Sequence, residues 1–147
     1  MSALHRREVV KSLLSNRGDT MVVTGLGQST YDAFAAGDDP RTFYLWGAMG
    51  GAVPIGRYGE TGQQVTHTAR GTDLAGVAKS VGFREVFVAE DEKTVGEAVR
   101  IAREGEGPVF VLIKVSADAV PMVLPPKDGA FLKTRFRQAV VGEDAVG

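Results

Sequence analysis

Apolar residues recur at helical spacing in several stretches of the chain and run together in several others. Over Ala3–Ser15, residues Leu4, Val9, Val10, Leu13 and Leu14 fall largely on one stripe, which predicts an amphipathic helix. Gly18 lies just past it, where a left-handed cap is common. Met21–Thr24 reads as a short strand closed by Gly25-Leu26-Gly27. Ser29 is placed to cap a short helix through Phe34, with Asp32 in its first turn. Gly37-Asp38-Asp39-Pro40 is a turn, and Thr42–Leu45 a second strand. From Arg57 to Gly71 the chain is polar and without periodicity, so a loop is expected. Asp73–Val81 returns to helical spacing, with Leu74, Val77, Ala78 and Val81 inward and Gly82 ending the helix. Glu85–Ala89 is a strand. Asp91 caps a helix reaching about Arg103, with Val95, Ala98, Val99 and Ala102 on its buried face. Gly105–Pro108 breaks it. Val109–Val115 is a near-continuous apolar run, as expected of a strand buried on both faces. Pro121, Pro125 and Pro126 mark an extended segment. Asp128–Ala139 predicts a terminal helix with Phe131, Leu132 and Phe136 available for packing.

Strands alternating with helices predict an α/β fold, a mainly parallel sheet flanked by helices in a single domain over 1–147. Such sheets place ligands at the carboxyl ends of their strands, and the glycine turns after Thr24 and Leu45 stand at such ends. Composition narrows the function. The net charge of −1 gives no reason to expect nucleic acid or an anionic membrane as partner. No apolar run is long enough to span a bilayer, and Met1 opens no signal-peptide pattern, so a cytoplasmic protein is expected. The absence of cysteine excludes disulfides, thiolate metal sites and a cysteine nucleophile. The 19 glycines are about twice the usual share and cluster in particular loops.

Gly25–Thr30 begins like a dinucleotide fingerprint but lacks the third glycine. Its two readings are an anion-binding helix start and a tight strand-to-helix turn. No phosphate-binding Gly-Lys-Ser/Thr triplet occurs, and His5 and His67 stand too far apart in sequence to predict a zinc site. Gly47-Ala48-Met49-Gly50-Gly51 lets backbone groups approach a ligand closely; Met49 could then lie against a flat ring. Close strand–helix packing would also explain these glycines. The Tyr58–Gln64 stretch gathers glycines, donors and acceptors. Thr61, Gln63, Gln64 and Thr66 suit phosphate or carboxylate oxygens, and a solvated loop is the plainer account. Pro125-Pro126-Lys127-Asp128-Gly129 reads as a rigid linker before a capped helix.

Three stretches of the chain, MVVTGLGQSTYDAFAAGDDPRTFYLWGAMGGAVPIG, RYGETGQQVTHTARGTDLAGVAKSVGF and PPKDGAFLKTRFRQAV, resemble thiamine-diphosphate-dependent decarboxylases. The resemblance is to the pyrophosphate-binding domain of the sulfopyruvate and phosphonopyruvate decarboxylase group, and it covers most of the chain. It implies thiamine diphosphate and Mg²⁺ as cofactors and a small 2-oxoacid as substrate, with the cofactor acting as an electron sink while CO₂ leaves. It implies that Gly47, Ala48, Met49 and Gly50 meet the cofactor rings. Tyr58, Gly59, Glu60, Thr61 and Gly62 would close over the diphosphate. Gly27, Gln28, Ser29, Gln64 and His67 would stand on the substrate side. The activating glutamate is expected on a separate pyrimidine-binding subunit, within a homo- or hetero-oligomer.

The chain departs from the family where the metal should sit. Relatives carry a Gly-Asp-Gly motif and then, about one βαβ crossover later, an asparagine. These hard oxygen ligands hold the Mg²⁺ that bridges the diphosphate. Here Ile55-Gly56 runs directly into Arg57-Tyr58. No metal ligand is retained beyond, at most, the Arg57 backbone carbonyl. Two other readings therefore stand beside the decarboxylase subunit: an interaction or scaffold subunit without cofactor, and a nucleotide-binding module built on Gly25–Thr30.

Overall fold

The computed structural model describes residues 4–25, 27–46, 71–116, 118 and 120–142. These divide into two compact units, one formed by 1–12 and 55–119, the other by 13–54 and 120–147. The described strands form parallel pairs flanked by helices, so the chain is α/β.

In the second unit, β1 (Val22–Thr24) and β2 (Thr42–Tyr44) are joined by helix α2 (Gln28–Ala36). The strands are parallel, with Val22 opposite Thr42 and Thr24 opposite Tyr44. A parallel pair needs such a crossover, because a tight hairpin reverses the chain. Helix α5 (Gly129–Val141) packs on β2. Tyr44, Thr42, Thr30, Asp32, Ala33 and Leu132 are buried. Rings fill the remaining space: Phe34 meets Tyr44 edge-on at 5.8 Å, and Phe43 meets Phe136 at 5.4 Å. Asp128 caps α5 by accepting from the Ala130 and Phe131 amides.

The other unit repeats the plan. Strands β3 (Glu85–Ala89) and β4 (Val109–Ile113) pair in parallel across helix α4 (Glu92–Glu104), which packs on both. Asp91 and Thr94 form a reciprocal capping box at the start of α4. Helix α3 (Leu74–Ser80) also lies on this sheet, with Asp73 as its cap. The Ser116 amide donates to the Leu4 carbonyl at 2.8 Å, tying the chain beyond β4 to the segment that leads into α1 (Arg6–Leu14).

Several local expectations change. The residue that turns left-handed just past α1 is Asn16, with φ 53°; Gly18 follows at 57°. Asparagine tolerates this region because its short side chain can bond locally. Helix α2 is capped by Gly27, with φ 82°, while Ser29 lies inside the helix. Asp32 lies beyond the first turn and is buried. On α3 the buried residues are Ala75 and Ala78, whereas Val77 and Val81 are 52% and 67% exposed. The small side chains take the sheet-facing stripe, where methyl groups let helix and strand approach closely. On α4 Ala102 is exposed, and only Val95 and Ala98 are buried. Strand β4 is partly exposed along its whole length rather than buried on both faces. Among the described residues it has a single strand neighbour, β3.

Candidate functional site

Because β1 and β2 run parallel in register, Gly25 and Leu45 leave the sheet side by side. This is the carboxyl end, where α/β sheets bind ligands. The β1 turn is tight. The Ser29 hydroxyl donates to the Gly25 carbonyl at 3.2 Å, and the Thr30 hydroxyl donates to the same oxygen. Thr30 and Thr24 also share a buried hydroxyl hydrogen bond of 2.7 Å. These contacts bend the chain from strand into helix and fix where α2 begins. Its first turn holds no acidic residue, so nothing there offsets the partial positive charge of the helix start. Gln28 and Ser29 are exposed at that point.

At the end of β2 stands Trp46, the protein's one tryptophan. Its indole N–H donates to the Pro126 carbonyl at 2.8 Å. Tyr31 of α2 packs against it, with ring centroids 6.0 Å apart. The Lys127 ammonium lies 5.3 Å from the indole centroid. The extended segment before α5 is thereby anchored beside the turn from β1 and the end of β2. Prolines stiffen this segment, and Pro125 is buried.

A second polar cluster involves the turn between α2 and β2. Asp38 accepts from the Tyr44 hydroxyl at 2.9 Å and pairs with Arg135 at 2.7 Å. The Arg135 guanidinium also faces the Tyr44 and Phe131 rings. Burial pushes the Asp38 carboxyl up, but the Arg135 and Tyr44 hydrogen bonds and the Arg135 charge outweigh it, holding Asp38 below its ordinary value. Burial and the Asp38 charge push the Tyr44 hydroxyl well above its usual range. The adjacent Asp39 is likewise held low: the Arg41 amide together with Arg17 overcomes its desolvation. These groups clamp the turn and offer no free base.

Of the residues expected at the site, Gly27, Gln28 and Ser29 come together at the start of α2. Gly47, Ala48, Met49, Gly50, Tyr58, Gly59, Glu60, Thr61, Gly62, Gln64 and His67 lie outside the described residues, as does Arg57. Sequence reasoning missed Tyr31, Trp46, Pro126 and Lys127. A lone tryptophan directly before a glycine loop was the available signal. The pairing of Lys127 with it, far along the chain, carried none. Among the described residues no group of three or more His, Asp or Glu side chains could hold a metal ion. Nor is any described helix long and apolar enough to cross a membrane.

The chain is similar to the β subunit of sulfopyruvate decarboxylase from Methanocaldococcus jannaschii. Identity is 22% over 184 aligned positions, covering 92% of this chain and 96% of that subunit. No family profile and no solved structure matches the chain. The likeness is that of a distant relative of a decarboxylase subunit, and the α/β arrangement of parallel pairs and flanking helices agrees with it.

Proposed function

We propose that this chain is the diphosphate-side subunit of a thiamine-diphosphate-dependent 2-oxoacid decarboxylase, working with a separate pyrimidine-binding subunit. The observation that carries this reading is the coverage of the likeness. It extends over nearly the full length of both chains, as expected of a shared domain rather than a shared motif. The parallel pairing of β1 and β2 supports it, since it sets the Gly25 turn beside the carboxyl end of β2, and Gly47 follows Trp46 directly in sequence.

A second reading, a subunit that keeps its partner-facing surfaces and binds no cofactor, is favoured by one specific observation. The alignment spans 184 positions, more than the 147 residues of this chain, so the relative has several tens of residues without counterpart here. A gap of that size is about a βαβ unit. We place it between Gly56 and Arg57, where the metal-binding segment would stand.

Two measurements separate the readings. The natural chain is purified and its intact mass compared with 15.6 kDa. Thiamine diphosphate is then titrated calorimetrically, with and without Mg²⁺, into its complex with the pyrimidine-binding subunit. Mg²⁺-dependent saturable binding is the result expected of the decarboxylase subunit. A mass of 15.6 kDa together with no binding in the complex would overturn that reading in favour of the second.

A further inference from the structure

A lysine side chain in water samples many rotamers, and fixing it costs conformational entropy. Lys127 is restrained despite being exposed. Its ammonium rests over the Trp46 indole at 5.3 Å. The indole is itself held on one side by the Pro126 carbonyl and on the other by Tyr31. The neighbouring carboxylate, Asp128, caps the Ala130 and Phe131 amides at the start of α5 and forms no ion pair with it. By contrast, Arg17, Arg41 and Arg135 of the same unit are each paired with an aspartate. Lys127 has no carboxylate partner among the described residues.

A cation stacked on an indole keeps the N–H donors that do not face the ring free for a second partner. Here those donors stand at the carboxyl end of β2, near the first turn of α2. We propose that Lys127, seated on Trp46, is the specificity-determining residue that receives the acid group of a small anionic substrate. Trp46 positions it, and Tyr31 and Pro126 position Trp46. The decarboxylase reading enters only as the source of the anion, the second acid group of a 2-oxoacid. Sulfonate, phosphonate and carboxylate all offer the acceptor oxygens an ammonium requires, and the test separates them.

The single tryptophan supplies a readout that needs neither cofactor nor turnover. The full chain is titrated with sulfoacetate, phosphonoacetate and malonate at constant ionic strength while Trp46 fluorescence is followed. A saturable change with at least one of them is expected, because an anion drawing the ammonium alters the cation–ring contact. The acid with the lowest half-saturation identifies the preferred group. Lys127→Met should weaken that affinity about tenfold or more, the effect of losing one charge-assisted hydrogen bond. Lys127→Arg should retain most of it. No saturable change in the wild-type chain, or an identical titration in Lys127→Met, overturns the proposal. Saturable binding lost in Lys127→Met, alongside no thiamine diphosphate binding in the complex, would retire the decarboxylase reading and leave the anion site standing.

Discussion

Asp38 shows how unequal the two ends of one ion pair can be. Removing its carboxylate would leave the Tyr44 hydroxyl and a mostly enclosed Arg135 without their acceptor. Removing the Arg135 charge instead leaves a carboxylate that still accepts from Tyr44 and reaches solvent. Arg135 also carries two enclosed N–H groups, Nε and Nη2, with no hydrogen-bond partner, and these already work against it. A methionine stem would keep the contact with the Tyr44 and Phe131 rings without that penalty. Asp38→Ala is therefore expected to cost about 2 kcal/mol and Arg135→Met about 1 kcal/mol in urea denaturation. Equal costs, or the reverse order, would show that the cation rather than the carboxylate dominates the cluster.

The same carboxylate fixes an acid limit. Its folded value lies below the ordinary 3.8, so its contribution is fully present above that value and is lost as the pH falls through the folded value. Thermal midpoints measured between about pH 5 and pH 2 should fall less steeply in Asp38→Asn than in the wild type. Parallel curves would mean that the pairing adds no pH-dependent stability.

Helix α4 illustrates what an element adds to its residues. Gly96 and Gly105 belong to the same stretch, yet a methyl group added at each meets different surroundings. At Gly96 nothing lies within 4 Å. Gly96→Ala should therefore stabilise by about 0.5–1 kcal/mol through helix propensity and reduced freedom of the unfolded chain. At Gly105 the methyl would stand 2.5 Å from the Ile101 carbonyl oxygen and 2.9 Å from a Val109 methyl. Gly105→Ala should destabilise by about 1–3 kcal/mol. Calorimetric melting of the two variants checks both signs; a shift of the same sign in both would show that the contacts at Gly105 relax freely.

Legibility from sequence follows the same scale. The Asp91 cap was readable because capping is local, set by a side chain and amides within three residues; Asp73 and Asp128, read as the first residues of their helices, stand one position earlier as caps. The existence of α2 was readable from Ser29 after the glycine turn, and that of the other described helices and strands from apolar spacing. Which stripe of α3 faces the sheet was not. Spacing alone cannot tell a stripe of valines from one of alanines, and close packing chose Ala75 and Ala78. The glycine turn after β1 was visible in sequence, although Gly27 rather than Ser29 serves as its cap. The Trp46–Pro126 bond lay beyond reach, because only the folded chain brings those segments together.

Across the whole molecule, unburied apolar surface is the feature that asks for a cause. Met21 and Val23 are exposed in one unit, and Val77, Val81 and Val88 in the other. The described sheets hold two strands each. Two-stranded sheets are marginal by themselves in water, and unpaired apolar edges invite other chains. Scattered exposed valines need no explanation, but their position on strands and on a sheet-packed helix fits a subunit completed by another chain. The chain alone should then bind a hydrophobic dye and melt with poor cooperativity. Mixing it with the pyrimidine-binding subunit proposed as its partner should suppress the dye signal and raise the melting midpoint by several degrees. If neither quantity changes while the two chains associate, these surfaces do not lie in the interface, and β1, α3 and β3 are as complete in the isolated chain as they will ever be.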